Sequence, residues 1–486
     1  MISPILKLGV AAAAVLASAF GAARTFAPPR VTIDTGTLEG AVDSATGVNV
    51  FRGIPYAAPP IGKLRWQPPQ PAARWSGVRS ANQLGHNCMQ HQPYPDIDPF
   101  TAGVSEDCLY LNVWTGSVDG SAPKRPVMVW IHGGGFWAGF GGEERHNGGP
   151  LAKKGAVVVT LNYRLGAFGF LAHPSLAAES PHKAAGNYGL LDQIAALQWV
   201  RRNIARFGGG PNRVTIFGES AGGMSVGSLI ASPLAKGLFQ HAILESGTGV
   251  GIGILSRDTA QALATRFADS LGVRGAGADA ARELRAVDAK KVLDASLHVG
   301  PPNQPAFWPV VDGWVLPHPV DSTLLSGAAN FVPTIVGTNR DEGDDWMAAP
   351  SRAFARLVSA HGTPTYMYMF SRVGDDSANQ KRGAYHSAEI TFVFGRPHPI
   401  EPSAGTTAYD PTVADAMSDY WVAFATSGDP NGPPTTGKWP VWPRYNAATD
   451  ALLEIGPTIA ARTMVKRAVY DSLDAAARSR GAIRPK

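Results

Sequence analysis

The stretch Arg213-Val214-Thr215-Ile216-Phe217-Gly218-Glu219-Ser220-Ala221-Gly222 decides the architecture of this chain. Arg213–Phe217, with its β-branched and aromatic residues, reads as a strand. It enters Gly218-Glu219-Ser220-Ala221-Gly222, a G-x-S-x-G pattern at a strand-to-helix turn. Such a turn thrusts the serine hydroxyl out at the carboxyl end of a sheet. The glycines are needed because the turn is sharp, and the following helix turns its positive dipole end toward the serine. The pattern alone is weak in a chain with 55 glycines, and a second match follows at Gly223-Met224-Ser225-Val226-Gly227. That match falls inside the expected helix with no strand before it. Ser220 is therefore the candidate nucleophile and Ser225 a small helix-packing residue.

Working outward, Pro126–Ile131, Ala156–Leu161, Ala242–Glu245, Thr334–Val336 and Tyr366–Phe370 are further strand-like runs. The first two are β-branched runs bounded by turn residues. Shorter β-rich runs come first, at Val31–Asp34, Val48–Arg52 and Leu109–Trp114. Leu190, Leu191, Ile194, Leu197, Val200 and Ile204 recur at helical spacing, and Gly208-Gly209-Gly210-Pro211-Asn212 ends that helix. Strands alternating with helices predict an α/β chain with a mostly parallel sheet covered on both faces. Arg257–Leu297 is the longest inserted helical segment, and Pro350–Ala360 a shorter one. No linker or repeat divides residues 24–486, which read as one domain.

Of the 486 residues, 44% are hydrophobic and 17% charged, which permits a large core and excludes disorder. The net charge of +5 comes from scattered basic residues, so neither nucleic acid nor a membrane surface is an expected partner. Residues 1–23 place Lys7 before an apolar run, Leu8–Phe20, and small residues at Gly21-Ala22-Ala23. This is the layout of a cleaved secretory signal, which predicts a secreted or periplasmic protein. No cysteine near the cut supports a lipid anchor, and the C-terminus is polar and basic. The lack of any N-x-S/T sequon favours a bacterial origin. Cys88 and Cys108 are the only cysteines. In an exported chain they are most simply one disulfide, worth roughly 3 kcal/mol in the chain-entropy model; two buried thiols are the alternative.

A serine nucleophile needs donors where negative charge develops. Pro126–Ile131 runs into His132-Gly133-Gly134-Gly135-Phe136, an HGGG-type loop. The N–H groups of Gly134, Gly135 and Ala221 are the candidate oxyanion hole. A β-branched residue at Gly135 is expected to depress turnover more than folding. No phosphate-loop or zinc spacing is present, and Gly247–Gly251 misses the dinucleotide spacing, so no metal or cofactor is expected.

These residues sit among ordered blocks: Phe51–Ala57, Ser105–Asn112, His132–Phe136, Asn162-Tyr163-Arg164, Asn187–Gln193, Phe217–Gly223, Gly337–Gly343 and Phe392–Gly395. In order and content they resemble the type-B carboxylesterases, a family that includes the cholinesterases, from about Arg30 to Tyr445. The resemblance implies an α/β-hydrolase fold and hydrolysis of carboxylic esters through an acyl-enzyme. α/β-hydrolases place nucleophile, acid and histidine in that order. The family motif puts the acid at Glu342, with Asp341 the alternative and Asp344 and Asp345 helix-start or solvated acids. It puts the base at His386, ahead of Phe392–Gly395, with His398 as runner-up. The resemblance further implies an Arg52–Glu106 ion pair, a Cys88–Cys108 disulfide, contact of Ser246 with the triad acid, and Glu219 as a buried acid beside the nucleophile.

Two departures stand out. Tyr94–Phe100 lacks the tryptophan with which cholinesterases bind choline, which argues against choline esters. Phe100 is left as a pocket-lining candidate, and Asp96 and Asp98 read as turn residues. His386 follows Glu342 by only 44 residues, where relatives insert several helices. A site open on that side, admitting bulky or polymeric esters, is the expectation; a displaced His386 is the alternative. Ala306-Phe307-Trp308-Pro309 lines either the acyl pocket or the core. A non-catalytic adhesion protein is the alternative class, which the presence of Ser220, His386 and Glu342 disfavours.

Overall fold

Eleven strands form the central sheet: β1 (Ala41–Val42), β2 (Asn49–Pro55), β3 (Tyr110–Thr115), β4 (Arg125–Ile131), β5 (Val157–Leu161), β6 (Gly209–Glu219), β7 (His241–Glu245), β8 (Thr334–Asn339), β9 (Thr365–Phe370), β10 (Ala451–Ile455) and β11 (Ile459–Thr463). Their spatial order is β1-β2-β3-β5-β4-β6-β7-β8-β9-β10-β11. From β5 to β10 every neighbouring pair is parallel, and both margins are antiparallel. This computed structural model describes residues 27–472 except 93, 95, 96, 99, 101, 119–123, 301–305, 344, 345, 399–403 and 465–467. The secretory-signal reading of residues 1–23, the readings of Asp96, Asp344 and Asp345, and the polar C-terminus lie outside the described residues.

The central strands are apolar on every residue because both faces are covered. On β4, Val127, Val129 and Ile131 enter one cluster with the helices Tyr188–Asn203 and Ala221–Ala231. Met128 and Trp130, on the opposite face, pack with the helix Asp410–Ser427. The segment 257–297 forms three helices, Arg257–Ser270, Ala278–Ala286 and Ala289–Ser296. Cys88 and Cys108 are disulfide-bonded.

The expected strands are present, with ends shifted by one to three residues, apart from β6. Gly208 caps the preceding helical turn at φ 77°, as a glycine can. Gly209–Asn212 then joins β6 instead of forming a loop. A register shift between Gly209 and Val214 absorbs Pro211, which has no N–H to offer the ladder. A side chain at Gly209 would stand 2.7 Å from Val127, so only glycine passes there.

Candidate active site

β6 delivers Ser220 at its carboxyl end. Ser220 adopts φ 56°, ψ −120°, a strained conformation for a residue with a side chain. Its N–H donates to the Glu245 carbonyl at 2.8 Å. A Cβ at Gly218 or Gly222 would lie 2.5 or 2.0 Å from the Ile131 carbonyl oxygen. Both glycines of the motif are therefore steric requirements. Ser225 is buried in the helix Ala221–Ala231, and Gln193 donates to its Oγ at 3.0 Å.

The glycine loop leaves β4 and passes beside Ser220; a Cβ on Gly133 would lie 3.3 Å from the Ser220 Cβ. Gly134 and Gly135 have φ of 92° and 65°. Among the described residues, the N–H groups of Gly134, Gly135 and Ala221 donate to no protein acceptor. Three donors without a protein acceptor thus lie in the glycine loop and the elbow that pass beside each other. His132 is buried, stacked on Tyr163 at 4.4 Å, and held neutral by burial, its pKa lowered to about 4. Tyr163 Oη donates to the His132 carbonyl. The left-handed φ of Gly135 changes the expectation for a substitution there. Gly135→Val should cost about 1–2 kcal/mol of folding stability as well as roughly tenfold or more in kcat. Thermal denaturation and kcat of the purified variant measure both; an unchanged kcat would remove Gly135 from the hole.

The loops after β8 and before the helix Ile390–Val393 bring Glu342 and His386 together. Glu342 Oε1 lies 2.8 Å from His386 Nδ1. His386 Nε2 faces Glu219 Oε1 at 3.2 Å, and among the described residues no hydrogen bond joins it to Ser220. Ser387, at φ 71°, donates its hydroxyl to the same Glu219 oxygen at 2.7 Å. Burial lowers the His386 pKa, but Glu219, then Glu342 and Glu389, outweigh it and raise the pKa above the usual value. Burial likewise raises the pKa of the Glu219 carboxyl, against the pull of His386 and Ser387. Asp341 pairs with Arg340 at 2.9 Å and takes the Ala384 N–H, not His386. The His398 ring meets Arg396, and its carbonyl accepts from Thr391.

Two expected contacts are not made. Glu106 pairs with Arg65, not Arg52, through two hydrogen bonds of 2.6 Å. The reason is geometric: Arg65 follows the turn Gly62–Leu64, and the same guanidinium also caps the carbonyls of Arg285 and Val287. Arg52 lies on β2, its N–H bonded to the Ala81 carbonyl. Ser246 Oγ and Glu342 Oε2 are both buried without a hydrogen-bond partner. Ser246 adopts φ 47° and donates its N–H to the Gly337 carbonyl at 2.9 Å.

Phe307 packs on Phe267 in the core, whereas the Trp308 ring lies 5.7 Å from that of Phe136 in the glycine loop. Phe100 packs edge-on against Phe140. Asp98 accepts the N–H of Glu144, 46 residues on, and lies outside any turn. The sequence reading missed Asn339, Ser387 and Glu389. Asn339 donates to Glu389 Oε2 at 2.6 Å and to the Tyr385 carbonyl at 2.7 Å. A carboxylate opening the apolar run Glu389–Phe394 was the available signal for a buried, partnered acid.

A mostly parallel sheet with helices on both faces and a serine elbow at its carboxyl end defines an α/β-hydrolase. The chain belongs to the carboxylesterase family, whose profile matches residues 27–349 and 343–472. It is 36% identical over 470 residues to the fumonisin B1 esterase of Sphingopyxis macrogoltabida, covering 84% of each chain. It is 35% identical over 474 residues to the para-nitrobenzyl esterase of Bacillus subtilis, covering 86% of this chain and 93% of that one. Carboxylesterase 1E of Mus musculus is 33% identical over 539 residues, covering 90% and 92%. The protein is a carboxylic-ester hydrolase.

Proposed function

We propose that Ser220, His386 and Glu342 carry the hydrolysis, with the N–H groups of Gly134, Gly135 and Ala221 as oxyanion hole. The observation that carries this reading is the 2.8 Å Glu342–His386 contact in the loops beside a strained elbow serine. A serine hydroxyl is a poor nucleophile at neutral pH, so neutral His386 takes its proton as Ser220 Oγ attacks the ester carbonyl. Glu342 fixes the imidazole tautomer and stabilises the imidazolium. The three N–H groups take up the developing oxyanion. Collapse expels the alcohol, protonated by His386, and water repeats the sequence on the acyl-enzyme. Ser246, Arg65 and Glu106 support the scaffold away from the reacting atoms, whereas Glu219 contacts His386 Nε2.

The His386–Glu219 contact belongs to the protonated imidazole. Loss of that proton frees Nε2 for Ser220, so activity should rise with pH through a raised pKa. Glu219→Gln removes the leading cause of that rise. It should move the acid limb of the kcat/KM profile downward by about one pH unit or more. Profiles measured from pH 5 to 10 test this; a limb that stays put or moves up would refute it.

The substrate side follows from the short acid-to-base segment. The His386 side chain is 32% exposed, and Trp346, 49% exposed, lies 5.7 Å from it ring to ring. These support a site open to bulky esters, a search that the relatives named for fumonisin B1 and para-nitrobenzyl esters also direct. A cleaved signal at residues 1–23, one domain over 24–486 and an exported enzyme complete the reading. The disulfide supports an oxidising compartment; among the described residues, no helix is long and apolar enough to cross a membrane.

Hydrolysis of p-nitrophenyl esters of increasing acyl length, beside Ser220→Ala, tests the function. Serine-dependent activity that persists to long or bulky acyl groups supports the open site. A sharp peak at short chains supports the esterase but not the open site. Serine-independent activity, or none, would contradict the reading.

A further inference from the structure

The loop that carries the acid and the loop that carries the base are laced together on one side of the Glu342–His386 pair. The Asp341 N–H donates to the Ala384 carbonyl at 3.1 Å, and the Ala384 N–H donates back to Asp341 Oδ2 at 2.7 Å. Asn339, buried at the end of β8, holds the next carbonyl, that of Tyr385. Both residues immediately before His386 are thus tied to the segment that ends in Glu342. Gly383 shows how close the fit is: it has φ 71°, and a Cβ there would stand 2.3 Å from Asp341 Oδ2. The Asp341–Arg340 ion pair, by contrast, is half exposed and of the kind worth little.

We propose that Asp341 is a positioning residue for ester hydrolysis: its carboxylate oxygen takes the Ala384 N–H and so fixes the backbone that presents His386 to Glu342 and Ser220. The proposal rests on the reading of those three residues as the reacting group. Asp341 acts through the Ala384–Tyr385 peptide and does not touch substrate. A misplacement of His386 by about 1 Å is enough for a loss of roughly 100-fold.

The test compares Asp341→Ala, which removes the acceptor, with Asp341→Asn, which removes the charge and keeps an oxygen for Ala384. Each enzyme is titrated with a serine-directed fluorophosphonate, so that kcat for p-nitrophenyl acetate is counted per reactive site. Asp341→Ala should lose about 10- to 100-fold in kcat with KM within about threefold, and Asp341→Asn should stay within about threefold of wild type. Gly383→Ala crowds the same contact from the other side and should reproduce the kcat loss, which serves if Asp341→Ala does not fold. A normal kcat per site in Asp341→Ala or, failing its folding, in Gly383→Ala would overturn the proposal. So would an equal loss in Asp341→Asn, which would assign the effect to charge. A wild-type enzyme that the phosphonate does not label would overturn the underlying triad together with the proposal, and so separates the two failures.

Discussion

His386→Ala is expected to lower kcat for a p-nitrophenyl ester by roughly 10⁴-fold or more, while His398→Ala leaves it within about twofold. The asymmetry follows from what each ring touches. His386 has one nitrogen 2.8 Å from Glu342 and the other beside the residue preceding Ser220. The His398 ring accepts a hydrogen bond from Arg396 at 3.3 Å. Without a base, the Ser220 hydroxyl retains its proton at neutral pH and attack is slow. What remains comes from the oxyanion hole and binding. Steady-state kinetics on the two folded variants decides the matter; comparable losses in both, or a larger loss in His398→Ala, would reassign the base.

The second large effect is on stability. Register places Glu219 on β6 opposite Glu245 on β7, then Gly337 on β8 and Tyr368 on β9, in one row across the sheet. Two adjacent buried carboxylates resist double ionisation. Glu245 is the one that keeps its proton. Burial raises its pKa to about 8; Trp421, donating to Oε1 at 2.8 Å, opposes this and Glu219 adds to it. Its Oε2 is buried with no partner. Unfolding would return this carboxyl to its ordinary pKa of 4.5. Between those values the folded chain binds more protons than the unfolded one. The stabilisation is therefore complete below pH 4.5 and lost as pH rises through 8. Glutamine mimics the protonated acid and keeps an oxygen for Trp421. From pH 5 to pH 8, Glu245→Gln should gain on the order of 2–3 kcal/mol relative to wild type. Urea unfolding at both pH values reads this directly, and a difference independent of pH would refute it.

The parts of the site legible in the sequence are those that backbone geometry forces on the residue types. Gly218 and Gly222 must be glycine because the Ile131 carbonyl leaves no room for Cβ. Gly134 and Gly135 must be glycine because their φ is left-handed. Such constraints leave a mark at fixed spacing, and resemblance supplied Glu342 and His386. Other features depend on chain segments far apart. The helix Asp410–Ser427 is buried nearly all round, polar residues such as Asp410, Ser418 and Asp419 included, so no single apolar stripe marks it. Glu106 could pair with Arg52 or Arg65 as far as its local sequence shows; the carbonyls of Arg285 and Val287, about 220 residues away, decide for Arg65. The tethers of the base loop to Asn339, Asp341 and Glu219 are likewise products of tertiary packing.

The most direct test of the central claim is to inactivate the enzyme with a serine-directed phosphonate and locate the adduct by peptide mass spectrometry. The account predicts one adduct per chain, on Ser220, forming in step with the loss of esterase activity. Labelling at Ser225 or another residue, or full esterase activity with Ser220 completely modified, would contradict it.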